Sequence, residues 1–121
     1  TDLSAIIVKQ DQMLLSISLK DFSFIDEYIL IFLLQGISEA HIKLNMMQRS
    51  ALSLSVCFNQ DEAKFNKLYD ILKDKFKCKY NNGLDLITIR HFKRDNLETI
   101  LAGRTVMMEQ FSRNTAQIIL Q

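Results

Sequence analysis

Apolar residues fall along this chain in two kinds of run, short β-branched stretches and longer ones with helical spacing. Leu3 to Lys9 (LSAIIVK) and Met13 to Leu19 (MLLSISL), separated by a polar Asp11-Gln12 break, predict two strands. In DFSFIDEYILIFLLQG the residues Ile25, Tyr28, Ile29, Phe32 and Leu33 recur at helical spacing. Ser23 with Asp26 three residues on makes a capping pattern and Gly36 a stop, which predicts a helix over about 24–35. Leu30, Ile31 and Leu34 make its second half apolar nearly all round, so a second subunit or domain is expected against it. IKLNMMQRSALSLSVCF predicts strands over about 42–47 and 51–58 around a polar Gln48-Arg49-Ser50 connection. That hairpin has neither the Gly nor the Pro of a tight turn, and it carries an amide, Asn45, inside its first strand.

After Asn59 and Gln60, a stripe of Phe65, Leu68, Tyr69, Leu72 and Phe76 predicts an amphipathic helix to about residue 76. KCKY reads as a strand, NNG as a turn, LDLITIRHF as a strand and DNLETILAG as a helix capped by Asp95 with Glu98 and ended by Gly103. TVMMEQ and TAQIIL close the chain as two strands around FSRN. The order is β, then βαββαβ, then βαββ, and the middle block has the pattern of the α+β ferredoxin-like unit, an antiparallel sheet with helices on one face. Residues 10–82 are expected to form this first domain. Residues 83–121 are expected to form a second, partial unit, with the strand at 3–9 placed to fill its missing position. The hairpins NMMQRSALSLSV and VMMEQFSRNTAQII echo one another at equivalent places, which supports a repeat.

Composition narrows the function by exclusion. Fifteen basic residues against fourteen acidic ones leave a net charge of +1, which offers no footprint for nucleic acid or an anionic membrane. The longest apolar run, Tyr28 to Leu34, is too short to span a bilayer, and no signal peptide opens the chain, so the expected location is the cytoplasm. A start at Thr1 suggests a piece of a longer protein. Cys57 and Cys78 read as buried thiols in a reducing compartment. Gly36, Gly83 and Gly103 stand alone at turns or helix ends, so no phosphate-cradling loop is present. His41 and His91 have no ligand-spaced partners, and the adjacent Asp61 and Glu62 suit a helix dipole better than acid-base catalysis. The strands carry almost no aromatics beyond Phe58 and Phe92, unlike a base-stacking sheet. A binding module is the expectation, and a small molecule held between units is the ligand class that fits.

MLLSISLKDFSFIDEYILIF, IKLNMMQRSALSLSVCF, NNGLDLITIRHF and EQFSRNTAQIIL together resemble the C-terminal regulatory region of monofunctional aspartate kinases, which consists of tandem ACT domains. The resemblance runs from about Leu3 to Gln121. It implies a ferredoxin-like ACT fold, allosteric feedback control of a kinase that phosphorylates aspartate with ATP, and pairing of ACT domains in a homodimer. It implies no catalytic residue and no metal site here, and no cofactor in this segment, ATP and Mg belonging to the chain's own kinase domain. The effector it implies is an amino acid, lysine first and threonine second. The site carried over by the resemblance is Phe22, Ser23, Phe24, Ile25 and Asp26 on one side and Leu44, Asn45, Ser50, Ala51 and Leu52 on the other. A helix N-terminus suits the ligand's carboxylate, and Asp26 and Asn45 are the polar groups for its ammonium. In many relatives an acid stands at the positions matching Asn45 and Ala51. The alternative is an oligomerisation module without a small ligand.

Overall fold

The computed structural model describes residues 5–91 and 94–121, the side chains of 94–96 excepted. Nine elements follow one another: β1 (Ala5–Leu19), α1 (Glu27–Glu39), β2 (Leu44–Arg49), β3 (Ser53–Asn59), α2 (Glu62–Leu72), β4 (Phe76–Arg90), α3 (Arg94–Leu101), β5 (Val106–Phe111) and β6 (Thr115–Leu120). Two of the predicted breaks do not separate strands. Asp11 takes a left-handed backbone conformation, φ +54°, inside a single β1, and Gly83 does the same, φ +68°, inside a single β4. Asp and Gly are residues that tolerate positive φ, so each break is absorbed as an irregularity along one strand instead of reversing the chain. Leu3 and Ser4 lie outside the described residues.

The chain divides into two compact units, one of Met13–Asn82 and one of the residues up to Gln12 with Gly83–Gln121. In the first the strand order is β2-β3-β1-β4, that of a ferredoxin-like βαββαβ unit. Alternation puts Met13, Leu15 and Ile17 of β1 and Leu54, Val56 and Phe58 of β3 on one face, where they form a core with Leu33 and Ile37 of α1 and Phe65, Leu68 and Leu72 of α2. Both helices therefore cover the same face. On α1 the helical period leaves Tyr28 83% exposed, with Ile31, Phe32 and Leu34 also uncovered, so this unit alone does not bury that face.

Helix α1 is displaced from its expected span at both ends. Its N-cap is Asp26, whose carboxylate accepts the Ile29 N–H at 2.9 Å, while Ser23 lies three residues ahead and donates its own N–H to Asp21 Oδ1 at 3.0 Å. Gly36 does not stop the helix. It is buried within it, facing α2, where a Cβ would meet Ile71 Cγ2 at 3.4 Å and Leu68 Cδ1 at 3.6 Å, ordinary contact distances. The stop is His41, at φ +58°, in a Schellman arrangement: His41 N–H donates to Ser38 C=O and Ile42 N–H to Ile37 C=O, with Ile37 and Ile42 both in the core. α2 is shorter than its apolar stripe, because Phe76 opens β4 instead of closing the helix.

In the other unit the order is β1-β4-β6-β5, with the leading half of β1 beside β4. Ile87 and Ile89 of β4 and Ala116, Ile118 and Leu120 of β6 form its core under Leu97, Ile100 and Leu101 of α3. The Asp95 cap expected for α3 rests on a side chain outside those described, as does Phe92; Gly103, at φ +76°, follows the helix as expected. Ile6, Ile7 and Val8 of β1 stay about half exposed.

The hairpins share their irregularities. Leu44 pairs with Phe58 and Met46 with Cys57, which leaves Asn45 as the extra residue of a bulge. Val106 pairs with Leu120 and Met108 with Ile119, which does the same to Met107. Ser50 N–H donates to Ser53 C=O at 2.9 Å and Ser112 N–H to Thr115 C=O at 2.9 Å, so both hairpins close by the same bond.

Candidate functional site

The expected site residues lie in the unit Met13–Asn82, on the loop from β1 to α1 and on the β2-β3 hairpin. The loop is built by short-range bonds. Phe22 takes φ +60° and donates its N–H to the Leu19 carbonyl, and Asp21 holds the Ser23 N–H. The hydrogen bonds from Ser23, side chain first and backbone second, hold the Asp21 carboxyl below the usual carboxylate range. This geometry turns Phe22 and Phe24 outward, 71% and 72% exposed, and turns Ile25 into the core at 2%. Asp26 then caps α1 by taking the Ile29 N–H, and the backbone N–H groups of Glu27 and Tyr28 are left at the helix start with no hydrogen-bonding partner among the described residues.

The hairpin turn is Ser50-Ala51-Leu52, two residues beyond the expected polar connection, with Gln48 and Arg49 inside β2. Ser50 replaces the missing Gly and Pro. Its N–H meets the Ser53 carbonyl, its hydroxyl lies 2.8 Å from the Ser53 hydroxyl, and it accepts the Ser53 N–H at 3.2 Å, so the side chain ties the turn to itself.

Loop and turn meet at Ile25. Its N–H donates to the Ala51 carbonyl at 2.8 Å, and its own carbonyl accepts from Arg49 Nη2 at 2.8 Å. Phe22, Ser23, Phe24, Ile25, Asp26, Ser50, Ala51 and Leu52 thus gather at one end of the unit. Leu44 and Asn45 do not join them. They lie at the other end of β2, where Asn45 Nδ2 donates to Asn59 Oδ1 at 2.8 Å, roughly 15 Å of strand away from Ser50. Ser50, Ala51 and Leu52 thus meet the loop within one unit, and Leu44 and Asn45 stay apart from it. Ile25 supplies backbone groups only, since its side chain belongs to the core.

Arg49 is the residue sequence reasoning passed over, although it is the single charged side chain between Asn45 and Asn59. Beside the loop, Lys20, Phe22, Tyr69, Lys73, Lys77 and Cys78 line an open cavity of about 360 Å³. A more apolar cavity of about 280 Å³ lies between Leu19, Tyr28, Ile29, Phe32, Ile71 and Phe76, whose two phenylalanine rings stack at 5.8 Å. Cys57 is buried and Cys78 half-buried, and neither is in a disulfide. Among the described residues no group of three His, Cys, Asp or Glu side chains is placed to hold a metal ion. Among the same residues no helix is long and apolar enough to cross a membrane.

No protein-family model matches the chain, and no curated protein sequence gives a significant match. Solved structures match across nearly all of it. A chain from Porphyromonas gingivalis W83, whose inferred identity is a C-terminal regulatory domain of aspartate kinase, is 12% identical over 100% of this chain and 88% of its own, with a TM-score of 0.82. The ligand-free regulatory subunit of aspartate kinase from Thermus thermophilus is 13% identical over 95% and 85%, at 0.70. Aspartokinase III of Escherichia coli, solved with lysine and aspartate in its T state, is 13% identical over 95% of this chain at 0.74, and the match spans 28% of that longer protein. At such identities the likeness establishes the fold alone: it is the fold of these regulatory regions of aspartate kinases.

Proposed function

We propose that this chain is an amino-acid-sensing regulatory region of an aspartate kinase, the enzyme that converts ATP and L-aspartate to 4-phospho-L-aspartate at the head of the lysine, threonine and methionine route. The observation that carries the reading is the junction at Ile25 within a fold shared, over the whole chain, with such a region. It puts a helix start with free backbone N–H groups against a polar hairpin turn, and a free amino acid needs such donors for its carboxylate and an acceptor such as Asp26 for its ammonium. In this reading the effector belongs to the amino acids of that route, lysine first and threonine second. Copies pair in the cytoplasm through their ACT units, and the chain's own kinase domain receives the signal. Control requires that the effector bind one arrangement of the paired units better than another, with a coupling of about 1–3 kcal/mol in the usual range.

Calorimetric titration of the chain with L-lysine, L-threonine and L-methionine tests the reading. Saturable heat with at least one of them is expected; no heat from any at millimolar concentration sinks it. The second reading, an oligomerisation module without a small ligand, is favoured by the exposure of Tyr28, Ile31, Phe32 and Leu34 on α1. It is the reading left standing if sedimentation shows a dimer and the titrations stay silent.

A further inference from the structure

We infer that Arg49 is the carboxylate anchor of the amino-acid ligand, a specificity-determining residue at the loop-hairpin junction. The inference rests on the amino-acid-binding reading above. One N–H of the Arg49 guanidinium is used on the Ile25 carbonyl, and a guanidinium carries five, so most of its donors remain available while that bond fixes where the group sits. It forms no ion pair among the described residues, unlike Lys73, which pairs with Asp70, and Arg104, which pairs with Asp85. The neighbouring acids on the loop are partly occupied, Asp21 by the Ser23 N–H and Asp26 by the Ile29 N–H, and the turn itself, Ser50 to Leu52, is uncharged.

The junction therefore offers a cation with a planar fork of spare donors beside acceptor groups at the start of α1. A zwitterion matches both signs: its carboxylate takes the guanidinium fork, in the bidentate manner that arginine favours, and its ammonium faces Asp26 and Glu27. Helix-start amides alone would hold a carboxylate by partial charges. A full charge makes affinity depend on the ligand's own charge much more steeply.

The test compares each amino acid with its carboxamide, which keeps its size and removes the negative charge, on the acid side of neutrality so that both forms keep the ammonium. L-lysine with L-lysinamide, L-threonine with L-threoninamide and L-methionine with L-methioninamide are titrated into the native chain, into Arg49→Gln and into Arg49→Lys. The amide of the amino acid that binds is expected to be about tenfold weaker on the native chain, a gap that narrows to about twofold in Arg49→Gln and is largely kept in Arg49→Lys. An unchanged gap in Arg49→Gln, or equal binding of acid and amide by the native chain, overturns the inference and leaves the amino-acid reading intact. Silence from every ligand overturns both. Should Arg49→Gln fail to fold, the Arg49 side-chain nitrogen resonances of the native chain decide: they should shift with the amino acid and stay in place with the amide, and an unmoved resonance overturns the assignment.

Discussion

Replacing Gly36 by alanine separates two roles that predict opposite signs. If Gly36 ended α1 in a left-handed conformation, as its position after an apolar run suggests, alanine there would lower stability by about 1–2 kcal/mol. In the structure Gly36 is inside α1, ahead of the Ile37–Glu39 turn, and an added Cβ finds Ile71 Cγ2 at 3.4 Å and Leu68 Cδ1 at 3.6 Å, ordinary contact distances. Helix propensity then favours alanine by about 1 kcal/mol, because glycine loses more backbone freedom on folding. Each of the two new contacts adds roughly 0.1–0.2 kcal/mol of dispersion. The sum is about 1 kcal/mol of stabilisation, a rise in Tm of roughly 4 °C for a domain of this size. Gly36→Val should reverse the sign, since a branched side chain places two more carbons where the first already touches Ile71. Gly83→Ala is the control: its surroundings are open, but φ +68° makes any side chain strained, so stability should fall by about 1 kcal/mol. Urea unfolding followed by far-UV circular dichroism measures all three. A Gly36→Ala chain less stable than the native one by 1 kcal/mol would refute the reading that Gly36 lies inside α1 with room for a Cβ.

Two further outcomes follow from local geometry. Asp26→Ala should destabilise by about 1 kcal/mol through loss of the α1 cap, whereas Ser23→Ala should stay within about 0.5 kcal/mol; the reverse order in denaturant unfolding would return the helix start to residue 24. Burial pushes the Cys78 thiol up from its ordinary range, so Cys78 should react slowly with a thiol reagent near neutral pH and its rate should keep rising beyond the pH at which free cysteine levels off. The same raised value means that stability owed to keeping this thiol neutral is present below the ordinary thiol range and is lost as pH climbs through the folded-state value. A pH-rate profile matching free cysteine would contradict the burial.

Strand and helix types and the repeated hairpin were legible in the sequence, because period and turn chemistry are local properties of ten or so residues, but the division of β1 and of β4 into two strands each was not the one formed. The closing strands TVMMEQ and TAQIIL keep almost their expected bounds. What the sequence could not decide was the meaning of its punctuation. Glycine serves as a left-handed stop or as a residue within a helix, and only the continuation of α1 to Glu39, with Gly36 packed toward Leu68 and Ile71, selects the second. Asp11 and Gly83 signal positive φ, yet whether such a residue reverses a strand or merely bends it depends on what the strand pairs with on either side.

The site divides in the same way. The sequence by itself determined its ingredients: a helix start with a capping pattern, an amide within a strand, a serine-bearing turn without Gly or Pro. The odd amide proved to be the extra residue of a bulge, turned toward Asn59, a role that exists only once the register of β2 on β3 is set. Tertiary structure alone brought Arg49 onto the Ile25 carbonyl across 24 residues of chain, and made Ile25 a backbone partner of Ala51 instead of a side-chain contact for a ligand. Local propensities fix which elements form. Which side chains meet is fixed by the strand pairing and helix packing that bury the core, because a bond between distant residues forms only where burial has already brought their backbones together.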